Sequence, residues 1–438
     1  MSLKKLFKPK SIAVIGASTN PEKIGHQILK NIIDGGYKGD IYPVHPKADE
    51  ILDLECHSSV TDIKGKVEMA VIVVPAKIVP SIIEECGKKN VKAAIVISSG
   101  FSEVGDKGAK LEKELAETAE EAGVRILGPN CQGINNTVQN VCATWPLTTK
   151  KGPISIIAQS GTIGAALECW AEEDNIGISK FAMLGNRADI DETKLLEFFS
   201  KDRTTDVIAL YLEGVKNGRK FFEVAKEASE KKKIVVLKGG RSEKGAEAVL
   251  THTRSLAGEY KVFKSVCKQA GLILVESINE LYDVCKGIAG LPKPKGKNTI
   301  ILTSSGGSGI LAADAAEDLD LNLMDLPEKS IKRLKKKLPS ECIIQNPIDL
   351  TGSATAEMYD EAIKVLARYK DVHSIVIIVG DPMPGISDVI KERFERLTLV
   401  PVMLGGGKEE VEEKKKLQEE GIPVFSTPEN AMKALSTL

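Results

Sequence analysis

The sequence predicts an α/β protein built on parallel sheets in three successive units. Three observations carry this. Short β-rich runs such as SIAVIGA, MAVIVVP and AAIVISSG alternate with helical patterns such as ILKNIIDGG and PSIIEECGKKN. Parallel strands joined by covering helices require that alternation. A chain of 438 residues suits roughly three domains. The last two units also repeat one another: GPISIIAQSGTIGAAL matches NTIILTSSGGSGILAA, and TTDVIALYLEG matches VHSIVIIVGDP.

The first unit covers residues 1–128, with strands in SIAVIGA, DIYPVHP, MAVIVVP, AAIVISSG and RILGP. Residues 129–150 read as a connecting segment, counted with the second unit as 129–290. GLPKPKGKN (Gly290–Asn298) has the composition of an exposed linker. The third unit covers 299–438, and its KRLKKK run is most simply a solvated helix face, with an anion-binding patch as the other reading.

The two copies differ in length at one place. Gly239 and Gly406, after matching strands, lie 167 positions apart, whereas Gly271 and Gly421 lie 150 apart. The first copy therefore carries 17 extra residues, within SEKGAEAVLTHTRSLAGEY, and His252 is the only histidine of that copy. An insertion on a repeated scaffold is where function is commonly grafted.

Composition excludes several classes. A net charge of −1 gives no bulk attraction to nucleic acid or to an anionic membrane. Aromatic residues, at 4%, are too few for base-stacking platforms. No apolar run approaches the ~20 residues that span a bilayer. The start MSLKKLFKPKSIAVIGAS lacks a leader's apolar stretch and cleavage site. The eight cysteines include no CxxC pair and sit mostly in apolar settings, as reduced thiols of a cytoplasmic protein would. No His/Cys cluster has zinc spacing, so no metal site is expected.

Four motifs carry chemistry. VIGASTNPEKIG (Val14–Gly25) is a strand, a glycine turn and a helix start, which point backbone N–H groups at a phosphate. A dinucleotide site wants closer glycine spacing and an acid at the end of the second strand. Here that region carries His45 and Lys47, which suit a phosphorylated ribose such as that of coenzyme A. An ordinary βα turn with exposed lysines fits the same residues. IIAQSGTIG places Ser160, Gly161 and Thr162 at a helix start, where N–H donors and hydroxyls suit phosphate, or a plain N-cap. It is not a nucleophile elbow, because Ala158 and Thr162 stand where glycines belong. In YLEG, Glu213 ends a strand at the ligand edge of a parallel sheet. A carboxylate there can accept a histidine Nδ1 hydrogen and leave Nε2 free as nucleophile, or simply be solvated. THTRSLAGEY sets His252 between hydroxyl residues on a glycine-bounded loop, which suits a mobile phosphoryl carrier. His26, His57 and His373 read as structural.

These motifs together resemble the α subunit of NDP-forming acyl-CoA synthetases, the ADP-forming acetate–CoA ligase type, a group related to succinyl-CoA synthetase. The likeness runs the whole chain in order: SIAVIGAS, PVHPK, GPNCQGI, IIAQSGT, GNRADIDE, YLEG, THTRSLAGEY and NPIDLTG. It implies an N-terminal Rossmann-like CoA-binding domain followed by two flavodoxin-like ligase domains. It implies that His252 is phosphorylated with Glu213 as its partner. It places coenzyme A on Gly16, Ala17, Ser18, Thr19, Lys47, Ile97, Ser98 and Ser99, and phosphate near Asn130, Ser160, Gly161 and Thr162. The reaction implied is acyl-CoA + ADP + phosphate giving acid + ATP + CoA, reversibly, through an acyl phosphate and a phosphohistidine. The substrates are a small carboxylic acid and its CoA thioester. The family's nucleotide site is an ATP-grasp domain with Mg²⁺ and ADP or ATP. No such domain is seen here, so it is expected on a separate β subunit, in an α₂β₂ assembly. One departure stands out: where the family loop commonly reads H-T-G-S, this chain has His252-Thr253-Arg254-Ser255. Arginine restricts the backbone there. The rival readings are a catalytically inactive CoA-sensing module and an NAD-dependent dehydrogenase.

Overall fold

The computed structural model describes residues 3–253, 258–394 and 396–438, without the side chains of 251–253. The described residues form two compact units. The first joins Met1–Glu172 with Gly177–Ile278, and the second joins Glu173–Ile176 with Asn279–Leu438.

The first unit opens with α1 (Lys4–Phe7), β1 (Ser11–Ile15), α2 (Ile24–Asp34) and β2 (Asp40–Val44). A small hairpin, β3 (Glu50–Ile51) and β4 (Leu54–Glu55), precedes β5 (Met69–Ile72), α3 (Val79–Lys88), β6 (Ala93–Val96), α4 (Asp106–Ala122) and β7 (Arg125–Leu127). The five long strands pair in parallel in the order β2-β1-β5-β6-β7. Helices cover both faces, so β1, β5 and β6 are buried at every position. This is why they read as unbroken apolar runs rather than alternating ones. α4 stops at Gly123, whose φ of +67° makes the left-handed cap that glycine adopts without strain.

A second sheet in the same unit is built from β8 (Gly133–Asn136), β9 (Val141–Ala143), β10 (Lys151–Ala158), β11 (Ile178–Met183), β12 (Val207–Leu212), β13 (Lys233–Lys238) and β14 (Ile273–Val275). Its helices are α5 (Gly161–Glu173), α6 (Glu192–Ser200), α7 (Gly218–Ser229), α8 (Glu243–Thr253) and α9 (Tyr260–Ala270). The strand order is β14-β13-β12-β10-β11-β8-β9. The stretch expected to be a mere connection, 129–150, therefore holds a hairpin. β8 runs antiparallel to β11, and β9 antiparallel to β8. The two sheets share one core. Phe7 stacks on Phe198 with centroids 5.3 Å apart and meets Phe199 edge-on at 5.2 Å. Arg125 grips Asp189 with both arms of its guanidinium, Nε at 2.7 Å and Nη2 at 2.9 Å.

The second unit contains α10 (Ile278–Gly290), β15 (Asn298–Thr303), α11 (Gly306–Asp318), β16 (Asn322–Leu323), α12 (Glu328–Lys337), β17 (Ile348–Asp349), α13 (Ala356–Leu366), β18 (Ser374–Val379), α14 (Ile386–Lys391), β19 (Thr398–Met403), α15 (Lys408–Glu419) and α16 (Pro428–Ser436). The order is β16-β15-β18-β19, with β17 also on β15 and a bridge from Val402 to Phe425. Taking that bridge as a fifth strand, the order repeats β11-β10-β12-β13-β14, the flavodoxin-like 2-1-3-4-5 arrangement. After β13 the chain makes α8 before α9, whereas β19 leads directly to α15. The length excess thus coincides with α8, a helix present in one copy and not in the other.

Candidate active site

The turn after β1 is shaped by glycine. Gly16 has φ +90°, and a Cβ there would lie 2.1 Å from the Val73 carbonyl oxygen. A Cβ on Gly25 would lie 2.0 Å from the Gly16 carbonyl oxygen, so α2 begins pressed against the turn. The His26 ring donates from Nδ1 to the Ser18 carbonyl at 2.7 Å and fixes the turn from behind. α2 opens at Lys23 with no side-chain cap, which leaves first-turn N–H groups for an anion. Ala17 is buried, Ser18 is half-buried and Thr19 is exposed. Lys47 is exposed on the next strand's exit, where the His45 ring accepts from the Lys47 and Ala48 amides at 3.2 and 3.1 Å.

β5 and β6 end at the same edge. Ser98 Oγ donates to the Val74 carbonyl at 2.6 Å and accepts from its amide at 3.2 Å, so that hydroxyl joins the two strand exits. Ile97 is buried and Ser99 exposed. Asn130, at φ +56°, donates its amide to the Ser98 carbonyl at 2.9 Å and its side chain to Asn186 at 3.2 Å. Asn186 in turn donates to Glu103 at 2.6 Å and Glu112 at 2.8 Å. Burial pushes the Glu103 carboxyl up, but hydrogen bonds from Asn186 and the Gly100 and Phe101 amides outweigh it and hold it below the usual range. Two residues beyond Asn130, Gln132 Oε1 lies 2.7 Å from where a Gly161 Cβ would be. A side chain at position 161 would therefore displace the Gln132 amide where this turn meets the first sheet's exit loop.

Ser160, half-buried, precedes α5, and Thr162 in its first turn is exposed. Glu213 follows β12 directly and is only 5% exposed, so it is not a solvated strand-end acid. Gln159 joins these two places. Its Oε1 accepts from the Glu213 amide at 2.6 Å and the Gly214 amide at 3.0 Å, and its Nε2 donates to the Gly214 carbonyl at 2.8 Å. Arg187, buried at φ +64°, donates to the same carbonyl at 2.9 Å and to Glu192 at 3.0 Å. Lys238 donates to the Glu213 carbonyl at 2.7 Å. Burial lowers the Lys238 ammonium to about 8, with Glu213 opposing the shift. Burial and the neighbouring Glu213 charge raise the Tyr211 phenol to about 12, so it stays a neutral donor, 3.4 Å from Glu213 Oε1. Sequence reasoning missed Gln159, Arg187, Glu192 and Lys238. Gln159, Arg187 and Glu192 sat inside the quoted motifs IIAQSGT and GNRADIDE, and Lys238 immediately precedes Gly239.

His252 falls in the last turn of α8, but its side chain and Arg254 lie outside the described residues. The backbone of α8 runs beside Ser102–Val104, just beyond Ile97, Ser98 and Ser99. A cavity of about 860 Å³ lies elsewhere, lined by Glu68, Lys92 and Arg125 at the strand starts. It contains none of the expected site residues. Among the described residues no group of His, Cys, Asp and Glu is placed to hold a metal ion. No described helix is long and apolar enough to cross a membrane.

Comparison with known proteins agrees along the whole chain. Residues 10–137 match a CoA binding domain, 151–288 a succinyl-CoA ligase like flavodoxin domain, and 299–431 a ligase-CoA domain. The α subunit of acetate–CoA ligase [ADP-forming] I of Pyrococcus furiosus is 46% identical over 450 residues, covering 100% of this chain and 97% of that protein. Acetate–CoA ligase [ADP-forming] I of Archaeoglobus fulgidus is 42% identical, and this chain spans 63% of its length. The dinucleotide-forming acetyl-coenzyme A synthetase 1 of Ca. Korarchaeum cryptofilum, solved with phosphate and ADP, superimposes with a TM-score of 0.92 at 39% identity. That match covers 99% of this chain and 96% of the solved one. With a match this close over nearly the full length of both chains, the chain belongs to the α-subunit family of ADP-forming acetate–CoA ligases.

Proposed function

We propose that this chain is the acyl- and phosphoryl-handling subunit of an ADP-forming acyl-CoA synthetase and that His252 carries the phosphoryl group. Coenzyme A takes the edge formed by Gly16, Ala17, Ser18, Thr19, Lys47, Ile97, Ser98 and Ser99. The residues there fit it: the Gly16 cradle has no room for a side chain, the α2 start is uncapped, and Lys47 stands exposed for the ribose phosphate. The Ser98 hydroxyl is engaged with Val74, so that position offers its backbone. Phosphate takes Asn130, Ser160, Gly161 and Thr162.

The chemistry runs in balanced steps. A phosphate oxygen attacks the thioester carbonyl, the C–S bond breaks, and the thiolate leaves as CoA after taking a proton. The His252 ring then attacks the phosphorus of the acyl phosphate, and the acid leaves as its carboxylate. Glu213 accepts the other ring N–H, which orients the imidazole and stabilises the charge it gains. ADP, held with Mg²⁺ on an ATP-grasp partner, receives the phosphoryl group. The observation that carries this reading is the Gln159 bridge, which holds the Ser160 turn and Glu213 as one structure. Support for the partner comes from relatives. The chain matches α-subunit proteins nearly end to end but only 63% of the longer acetate–CoA ligase [ADP-forming] I of Archaeoglobus fulgidus. We place the pair in the cytoplasm as an α₂β₂ assembly, in keeping with cysteines that form no disulfide among the described residues. Residues 1–128, 129–290 and 299–438 are taken as the three working domains.

Two outcomes test this. Calorimetry should show CoA binding to the wild type and at least about tenfold weaker binding to Lys47→Ala, the loss of one charge-assisted phosphate contact. Binding of NAD in place of CoA would overturn the assignment. Mixed with acetyl-CoA, ADP, Mg²⁺ and phosphate, the chain should make ATP only when the ATP-grasp partner is added. Robust ATP synthesis by the purified chain alone would refute the two-subunit scheme.

A further inference from the structure

We propose that Gln159 is a positioning residue, whose side chain sets Glu213 in register with the phosphate turn. The inference deepens the phosphohistidine reading of Glu213 and rests on it. Gln159 is 5% exposed and precedes Ser160 in the chain. Its three shortest side-chain hydrogen bonds go to the loop that carries Glu213. One oxygen takes the amides of Glu213 and Gly214, and the nitrogen gives to the Gly214 carbonyl at 2.8 Å. The same nitrogen lies 3.5 Å from Glu192 Oε2. Glu192 Oε1 accepts the Lys216 amide at 2.9 Å, and Lys238 holds the Glu213 carbonyl from the other side. The Glu213 backbone is therefore fixed at both its N–H and its C=O, and Gln159 supplies the only one of these ties that starts next to the anion turn.

The repeat supplies an internal control. At the matching place in the second copy, Ser304 precedes Ser305 and the start of α11, and Gly380 follows β18 as Glu213 follows β12. There Ser304 Oγ accepts the Gly380 amide at 3.0 Å. Satisfying a strand-end amide from this position is thus a general need of the fold. The copy that carries a glutamate at the strand end uses the longer glutamine, which takes a second amide and binds a carbonyl. The excess of contacts goes with the presence of Glu213.

The test is a double-mutant cycle on the full chain. Acetyl-CoA and radiolabelled phosphate are supplied, and the rate of acid-labile labelling is followed across phosphate concentrations. Gln159→Leu should lower the maximal rate about 100-fold, the scale of a small misplacement of a reacting group. The half-saturating phosphate concentration and CoA affinity should stay within about threefold, since a positioning loss falls on the transition state. Glu213→Gln should also slow labelling. The double variant should be no slower than the slower single, because Gln159 acts through Glu213. Ser304→Ala, which removes the matching bond from the other copy, should label at the wild-type rate. Additive losses, or wild-type labelling by Gln159→Leu, would overturn the proposal. Should Gln159→Leu fail to fold by circular dichroism, Gln159→Glu, which keeps the acceptor, carries the same cycle. Wild-type labelling by Glu213→Gln would instead remove the reading on which the proposal rests.

Discussion

His252→Ala is expected to abolish ATP formation from acetyl-CoA, ADP and phosphate, by at least about 1,000-fold, because a covalent carrier has no substitute. Acyl transfer to phosphate does not use the ring. The variant should therefore still release CoA from acetyl-CoA in the presence of phosphate, and bind CoA within about twofold of the wild type. The assay is coupled ATP detection with the partner subunit present. Retention of more than a few per cent of the wild-type rate would place the phosphoryl carrier elsewhere.

The second large effect concerns stability. Glu168, on α5, is fully buried. Its Oε1 accepts from Thr148 at 3.0 Å and Asn135 at 3.2 Å, while its Oε2 has no partner. Burial, only partly countered by these bonds, raises the carboxyl from 4.5 to about 8. The folded chain thus keeps a proton that the unfolded chain loses. The stability this contributes is complete below pH 4.5 and is lost as pH rises to about 8. The difference is worth roughly 5 kcal/mol at most. Glu168→Gln keeps the shape and the acceptor but cannot ionise. Denaturant unfolding at several pH values should show the variant gaining on the wild type by roughly 3–5 kcal/mol between pH 4.5 and 8. Parallel stability curves would show that Glu168 titrates normally. α5 begins at the proposed phosphate turn, so this carboxyl also anchors the helix that carries Gly161 and Thr162.

Much of this architecture was legible because parallel strands covered on both faces read as plain apolar runs. SIAVI, MAVI and AAIV were such runs, and each is a strand. The length excess around His252 became α8, because a repeated topology makes an insertion countable. The hairpin of β8 and β9 was not legible. Its buried positions include Asn135 and Asn136, whose side-chain nitrogens are engaged by distant partners: Asn136 donates to the Phe7 carbonyl at 2.7 Å, and Asn135 to the Thr148 carbonyl at 2.9 Å. A polar residue buried by a tertiary hydrogen bond breaks any local hydrophobic period. Gln159 and Arg187 escaped for the same reason, since both bond the Gly214 carbonyl, 55 and 27 positions away. Glu168 did leave a trace. It shares a buried stripe with Gly164, Leu167 and Ala171 at helical spacing, where a carboxylate is out of place.

In the proposed reaction a phosphoryl group passes through this chain on a histidine. The most direct measurement incubates the chain with acetyl-CoA and radiolabelled phosphate, with and without its ATP-grasp partner, and maps the label by mass spectrometry. An acid-labile, base-stable label is expected on the peptide that contains His252, discharged by ADP when the partner is present. An unlabelled chain under both conditions, or a label on any other residue, would contradict it.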